Sequence, residues 1–286
     1  MLGGAGMVKL HLIKIYHYFR PGTYYRKDME NLTVSLVQTS LHWHQPKKNR
    51  DLLAQKLDSL TQTTDLIILP EMFTTGFTMA APELAETMTG PTLPWLTAQA
   101  QKHQAVITGS LIIKESNAYF NRLIWMQPDG NYQYYDKRHL FRMAGETNIY
   151  TAGQNKVTPT LKGWRICPLI CYDLRFPVWS RNQQNQYGLY LYVANWPEKR
   201  RLAWQTLLPA RAIENQAYVA GVNRVGVDGN NITYSGDSAV YDPLGQTIWQ
   251  SHHQEVSQTL TLDSTVLAAY RQAFPAYLDA DNFNLI

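Results

Sequence analysis

A cysteine, a glutamate and a lysine each close a strand-like run in this chain, and together they could carry nucleophilic catalysis. Cys171 follows the apolar run WRICPLI and precedes Pro177, which places it at an elbow between a predicted strand and a predicted helix. A free thiol has a pKa of about 8.5 and is only a few per cent thiolate near neutral pH, so a nucleophilic cysteine needs a base or a positive field beside it. Glu71 ends the run LIILPE, and Lys137 follows YQYYD. A carboxylate could take the thiol proton, and a fixed ammonium could steady the negative oxygen formed when sulfur attacks a carbonyl carbon. Taken singly, each of the three is more often a solvated loop residue than a catalyst.

The other cysteine, Cys167, lies four residues earlier in the same predicted strand and reads as a small buried hydrophobe without chemistry. Two cysteines with no second pair and no clustered histidines argue against a disulfide framework or a structural zinc site. A reducing compartment, the cytoplasm, fits them best. Asp173 and Arg175 read as residues that hold the turn after Cys171. His103 and His139 leave a cysteine–histidine hydrolase open, although each stands where a histidine commonly packs or faces solvent.

The elements that must position these residues alternate. The strand-like Thr33 to Thr39 precedes a helix carrying Leu53, Leu57 and Leu60, and the apolar strand Leu66 to Leu69 follows it. Thr92 to Gln104 reads as a helix and Ala105 to Lys114 as a strand, before a hairpin of Leu123 to Met126 and Tyr132 to Tyr135 around Pro128, Asp129 and Gly130. Trp164 to Ile170 reads as the strand before Cys171, with Pro168 expected at an edge or bulge because it lacks a donor. Beyond it come the strand Leu189 to Ala194, the helical stretch Arg201 to Asn215 interrupted by Pro209, and strands around Tyr218 to Asn223, Ser238 to Tyr241 and Gln246 to Trp249. Strands alternating with helices predict an α/β layered fold with a central sheet, in which sites assemble at the carboxyl ends of strands.

At 286 residues with 45% hydrophobic side chains, the chain can bury a large core within one domain. Its +4 formal charge is scattered, so no nucleic-acid groove is expected, and no apolar run is long enough to span a membrane. Residues 1–30 follow neither helical nor strand periodicity and are expected to be a poorly ordered extension, with Met29 a candidate translation start and 31–286 the functional domain.

The segments LPEMFTTGF (69–77), YDKRHLF (135–141) and ICYDLRFP (170–177) resemble, in order, the three signature motifs of the nitrilase superfamily of carbon-nitrogen hydrolases. NRLIWMQPDG, NWPEKRRLAWQTLLPARAIENQAYVAGVNRVG and GDSAVYDPLG extend the similarity to the bacterial omega-amidase branch, over roughly residues 32 to 262. The resemblance implies a four-layer αββα sandwich, commonly dimerising through helices that include the one after the nucleophile, and hence a homodimer. It implies Cys171 as nucleophile, Glu71 as base, and Lys137 with the Tyr172 backbone N–H as oxyanion donors. Glu146 matches the second glutamate that positions lysine and substrate, against the alternative of a plain ion pair. A short dicarboxylic acid monoamide such as 2-oxoglutaramate is the implied substrate, with no metal and no organic cofactor required. Such a substrate needs a cation for its carboxylate, for which Arg142 is a candidate, and Phe73, Phe141 and Trp196 are candidate walls of the pocket. Nitrilase, N-carbamoyl hydrolase and aliphatic amidase activities, and a catalytically silent metabolite-binding role, stand as alternatives.

Overall fold

The computed structural model describes residues 29–285; most of the expected N-terminal extension, and with it the question of its order, lies outside them. Among the described residues the strands form two sheets. The first has the order β13-β1-β2-β3-β4-β5, made of β1 (Leu32–Gln38), β2 (Leu66–Ile68), β3 (Val106–Glu115), β4 (Ala118–Met126), β5 (Tyr132–Asp136) and β13 (Val256–Leu262). The second runs β10-β11-β9-β8-β7-β6, with β12 also on β11: β6 (Thr160–Leu161), β7 (Trp164–Ile170), β8 (Leu189–Ala194), β9 (Tyr218–Asn223), β10 (Val225–Val227), β11 (Thr233–Tyr241) and β12 (Thr247–His252). At the heart of each sheet three strands are parallel, β1-β2-β3 and β7-β8-β9, so their carboxyl ends gather at one edge.

Alternation along the strands explains the layers. Leu66 and Ile68 of β2, Val106 of β3 and Leu123 and Trp125 of β4 join the core shared with the second sheet. Their neighbours Ile67, Leu69, Ile107 and Ile124 turn the other way, onto Leu53 and Leu57 of α1 (Pro46–Asp58) and Leu93 and Leu96 of α3 (Thr92–His103). A strand buried on both faces must be apolar throughout, which is why β2 reads as an unbroken apolar run. Each such Leu or Ile contributes about 1.5–3 kcal/mol by leaving water. The second sheet is covered by α6 (Arg201–Asn215), whose Trp204, Leu208 and Ala212 recur at helical spacing on its buried side. The approach is close: a Cβ on Gly221 of β9 would lie 2.6 Å from Leu208. The single turns α2 (Ala81–Leu84), α4 (Glu146–Ile149) and α5 (Pro177–Ser180) and the final helix α7 (Ser264–Ala273), capped by Asp263 on the Thr265 N–H, complete the set. The result is the four-layer αββα sandwich.

Most predicted strands stand within a residue or two, and Pro209 does not interrupt α6. Pro168 has its edge setting, because β6 pairs only with Trp164 and Arg165 and leaves the rest of β7 flanked on one side. No helix of the described residues is long and apolar enough to cross a membrane.

Candidate active site

Glu71 lies three residues past β2, Lys137 directly after β5 and Cys171 directly after β7. The sandwich brings the three together. Glu71 is fully buried and Lys137 all but fully buried. The Lys137 ammonium donates to Glu71 Oε1 at 3.0 Å and to both oxygens of Glu146 at 3.0 Å. Glu146, at the start of α4, is completely enclosed and also accepts the Phe141 backbone N–H. It is therefore no solvated loop ion pair but the second carboxylate of a buried cluster.

Glu71 is fixed by three further donations. Asn121 Nδ2 reaches Oε1 at 2.8 Å, the Asn195 backbone N–H reaches Oε2 at 2.8 Å, and Asn195 Nδ2 holds the Glu71 carbonyl. A carboxylate so tied presents one orientation to the thiol, with which it is hydrogen-bonded. The backbone on both sides is strained: Met72, next to Glu71, has φ 43° and Cys171 has φ 44°, left-handed values that cost non-glycine residues about 1–3 kcal/mol each. At Cys171 this turn lifts the side chain out of the strand line at the head of a 3-10 turn, Cys171–Arg175, where the first N–H groups, that of Tyr172 among them, have no partner within the turn.

Asp173 locks the elbow. Its buried carboxylate accepts from the Ile170 N–H at 3.1 Å, the Tyr135 hydroxyl at 2.7 Å and the His139 N–H at 3.0 Å, and pairs with His139 Nδ1 at 2.7 Å. Since Tyr135 and His139 flank Lys137, one aspartate holds the cysteine loop in register with the lysine segment. Asp173 thus has the turn-holding role read from the sequence. His139 is bound to Asp173 and stacked on Phe176 at 3.8 Å, and His103 pairs with Asp58 at the end of α3. Neither stands where it could serve as the base for Cys171.

Burial, before all else, raises the Cys171 thiol well above the ordinary range; the negative charge of Glu71 and its hydrogen bond push the same way, and Lys137 pulls it down less. The sulfur therefore rests as a thiol. Burial alone would depress Lys137, but Glu146 and Glu71 reverse this and hold it well above the usual lysine value, so it is a permanent cation. Glu146 is pushed up chiefly by burial, with Lys137 opposing.

Cys171 and Lys137 open into a cavity of about 270 Å³ whose walls include Phe77, Phe141, Tyr172 and Trp196. That volume suits a small metabolite rather than a polymer. Two of the expected wall and clamp residues are placed elsewhere. Phe73 is fully buried in the core between the first sheet and α3, 6.0 Å from Trp95 in ring-centroid distance, held there by the turn at 71–75, in which its N–H donates to the Ser110 carbonyl of β3 at 3.0 Å. Arg142 is exposed and borders a separate depression with Arg138 and His139, because the 3-10 turn Arg142–Ala144 directs it away from the sulfur. Arg175, read from the sequence as a turn-holding residue, instead lines the cavity over the Trp196 ring.

The carbon-nitrogen hydrolase family model matches residues 33–272. This chain belongs to the carbon-nitrogen hydrolase family. The hydrolase is 49% identical to the omega-amidase YafV of Escherichia coli K12 over 260 residues, covering 90% of this chain and all of the relative. It is 30% identical to a 2-oxoglutaramate amidase of Bacillus subtilis, over 86% of this chain and 96% of that one. The crystal structure of XC1258 from Xanthomonas campestris, a CN-hydrolase superfamily protein with an arsenic adduct in its active site, superposes with a TM-score of 0.88 at 50% identity, covering 90% of this chain and 100% of that one.

Sequence reading missed several residues of the hydrolase's cavity and cluster: Asn121, Asn195, Lys199, Arg200 and Tyr234. Asn195 had a usable signal, since it directly follows β8, the parallel neighbour of the cysteine's strand. Asn121 is a buried polar residue of β4, beside the charged Arg122, and carried no mark of its own. Tyr234 comes from β11, far along the chain, and carried no local mark.

Proposed function

We propose that this hydrolase is an omega-amidase that converts short dicarboxylic acid monoamides, such as 2-oxoglutaramate, to the diacid and ammonia. The observation that carries the reading is the Lys137 ammonium, 3.0 Å from Glu71 and from Glu146, at the wall of the cavity into which Cys171 opens. The amidase relatives point to the same chemistry.

The steps follow from the arrangement. The substrate amide lies with its carbonyl carbon against the sulfur and its oxygen towards Lys137 and the Tyr172 N–H. Glu71 takes the thiol proton as sulfur forms the C–S bond, and the oxyanion is held by the ammonium and the backbone donor. The C–N bond then breaks, Glu71 returns the proton to the departing nitrogen, and ammonia leaves a thioester on Cys171. Water enters, loses a proton to Glu71 and attacks the thioester carbon. Collapse releases the acid and re-protonates the sulfur. Glu146 holds the lysine in place through both half-reactions and prevents its charge from being spent on Glu71 alone.

Val178 of α5 and Ile213 of α6 expose about half of their surface. They favour pairing of two copies through the helix after the nucleophile, so the active form is read as a homodimer, and the two free cysteines favour a cytoplasmic site. The function is tested by ammonia release from a panel of omega-amides, nitriles and N-carbamoyl compounds. Turnover of the omega-amides with trapping of the thioester by hydroxylamine is expected; inertness towards them with brisk nitrile or carbamoyl turnover would overturn the reading. Sedimentation of wild type and Val178→Glu tests the dimer.

A further inference from the structure

One acceptor in the wall of the cavity has no donor. Asn195 directly follows β8, lines the cavity with Cys171 and is 4% exposed. Its backbone N–H is spent on Glu71 Oε2 at 2.8 Å and its Nδ2 on the Glu71 carbonyl. A main-chain carbonyl only accepts, so the side chain must face it with the NH2 group and cannot be turned round. That sets Oδ1 away from the Glu71 carbonyl, and among the described residues no donor reaches it.

Asn223 shows what a settled asparagine looks like in this chain. It ends β9, the neighbour of β8; its Oδ1 accepts from the Trp196 and Arg224 N–H groups at 2.8 and 2.9 Å, and its Nδ2 donates to the Trp196 and Gly236 carbonyls at 3.0 and 2.7 Å. Asn195 has the donation without the acceptance. Asn121 also donates to Glu71 and also has an unpaired Oδ1, but it is no part of the cavity wall. A buried acceptor left unpaired is costly, and an N–H from a ligand removes that cost.

The reacting group offers one kind of donor. Its carbonyl oxygen can only accept and turns to Lys137 and the Tyr172 N–H, whereas its nitrogen carries two N–H bonds. We propose that Asn195 Oδ1 accepts one N–H of the scissile amide and sets the nitrogen against Glu71, which makes the site selective for amides over acyl donors whose leaving atom carries no hydrogen. This rests on the omega-amidase reading and adds a catalytic residue to it. Once sulfur has bonded to the carbonyl carbon, the nitrogen is tetrahedral and holds a lone pair. The N–H···Oδ1 bond turns that pair to the protonated Glu71 carboxyl; the nitrogen takes the proton, the C–N bond breaks and its electron pair leaves with ammonia. The contact tightens when substrate is bound, as catalytic hydrogen bonds commonly do.

The test compares kcat/KM for glutaramate and for the S-methyl monothioester of glutaric acid, which has no N–H on its leaving atom, in wild type, Asn195→Leu and Asn195→Asp. Leucine removes both the donor to Glu71 and the acceptor; aspartate removes the donor and keeps an acceptor. Asn195→Leu should lower the amide-to-thioester ratio about ten- to a hundredfold, whereas Asn195→Asp, slower on both substrates, should keep it within about threefold. A merely structural role would slow both substrates alike and leave the ratio unchanged. A second measurement leaves Asn195 in place: in Cys171→Ala, calorimetry should show glutaramate binding about tenfold tighter than monomethyl glutarate, whose ester leaves Oδ1 unpaired. Equal binding of the two, an unchanged ratio in Asn195→Leu, or a ratio that falls as far in Asn195→Asp overturns the proposal while the omega-amidase reading stands. If wild type cleaves the thioester but no omega-amide, the omega-amidase reading fails first.

Discussion

Cys167 and Cys171 are four residues apart, each raised in pKa chiefly by burial, and yet only one is placed for chemistry. Cys167 lies inside β7 with its side chain in the core between the sheets, and burial lifts it to about 12. Cys171 stands one residue past the strand's end, turned by a left-handed backbone into a cavity, with Glu71 hydrogen-bonded to it and Lys137 close by. A depressed resting pKa does not separate the two thiols; a neighbouring carboxylate, a fixed cation and an opening into a cavity do.

Breaking the comparison outright gives the largest effect. Cys171→Ala is expected to lower ammonia release by about 10⁴-fold or more, the scale seen when a nucleophile is removed, whereas Cys167→Ala should leave turnover within about threefold. Equal losses in steady-state assays of the two variants would sink the assignment. Glu71→Gln keeps the shape of the base and removes its proton affinity, so kcat should fall by about 10²- to 10⁴-fold. Lys137→Gln should cost about 10²- to 10³-fold in kcat, the scale for one oxyanion donor, with hydroxylamine trapping showing less thioester.

A smaller effect sharpens the comparison through pH. Glu71 raises the Cys171 pKa by charge and by hydrogen bond, so in Glu71→Gln the thiolate should form at lower pH and the iodoacetamide profile of Cys171 should move down. Cys167 in the folded protein should stay unlabelled until the pH approaches about 12. A profile for Cys171 that moves up in Glu71→Gln would contradict the electrostatic account. The smallest effect is on stability. Cys167→Ala should cost about 1 kcal/mol, a drop of roughly 2–4 °C in melting temperature. Because the folded Cys167 pKa lies above the unfolded value, its stabilising share is present below the unfolded pKa and lost as pH rises towards about 12, so the variant's stability should fall less steeply in that alkaline window.

How far the sequence could be read depended on the local signal at each position. Strands β1, β2, β7 and β8 were legible because their apolar runs serve sheets buried on both faces, and α3 because its helical spacing is unbroken. Strand β13, VSQTLTL, was not, since its alternating polar residues look like loop until they pair with β1, some 220 residues away in sequence. Phe73 and Arg142 were misplaced for a related reason: proximity to a motif says nothing about which way a side chain points, and the turn at 71–75 and the 3-10 turn at 142–144 decided that.

The sequence by itself placed Glu71, Lys137 and Cys171 each past a strand signal, where an α/β sheet exposes side chains, and within three segments that resemble the motifs of the family. It also determined the alternation of strands and helices, through the spacing of apolar residues. The tertiary structure alone decided that Glu146 is locked on the lysine, that Asn121 and Asn195 fix the Glu71 carboxylate, and that Arg175 and Arg200 line the cavity into which Cys171 opens. The Glu71–Asn195 contact joins residues 124 apart, one from each sheet, and forms only when the sheets close on each other, while Glu71–Asn121 spans 50 residues of one sheet and Lys137–Glu146 needs the loop after β5 to fold back; burial away from water strengthens all of them.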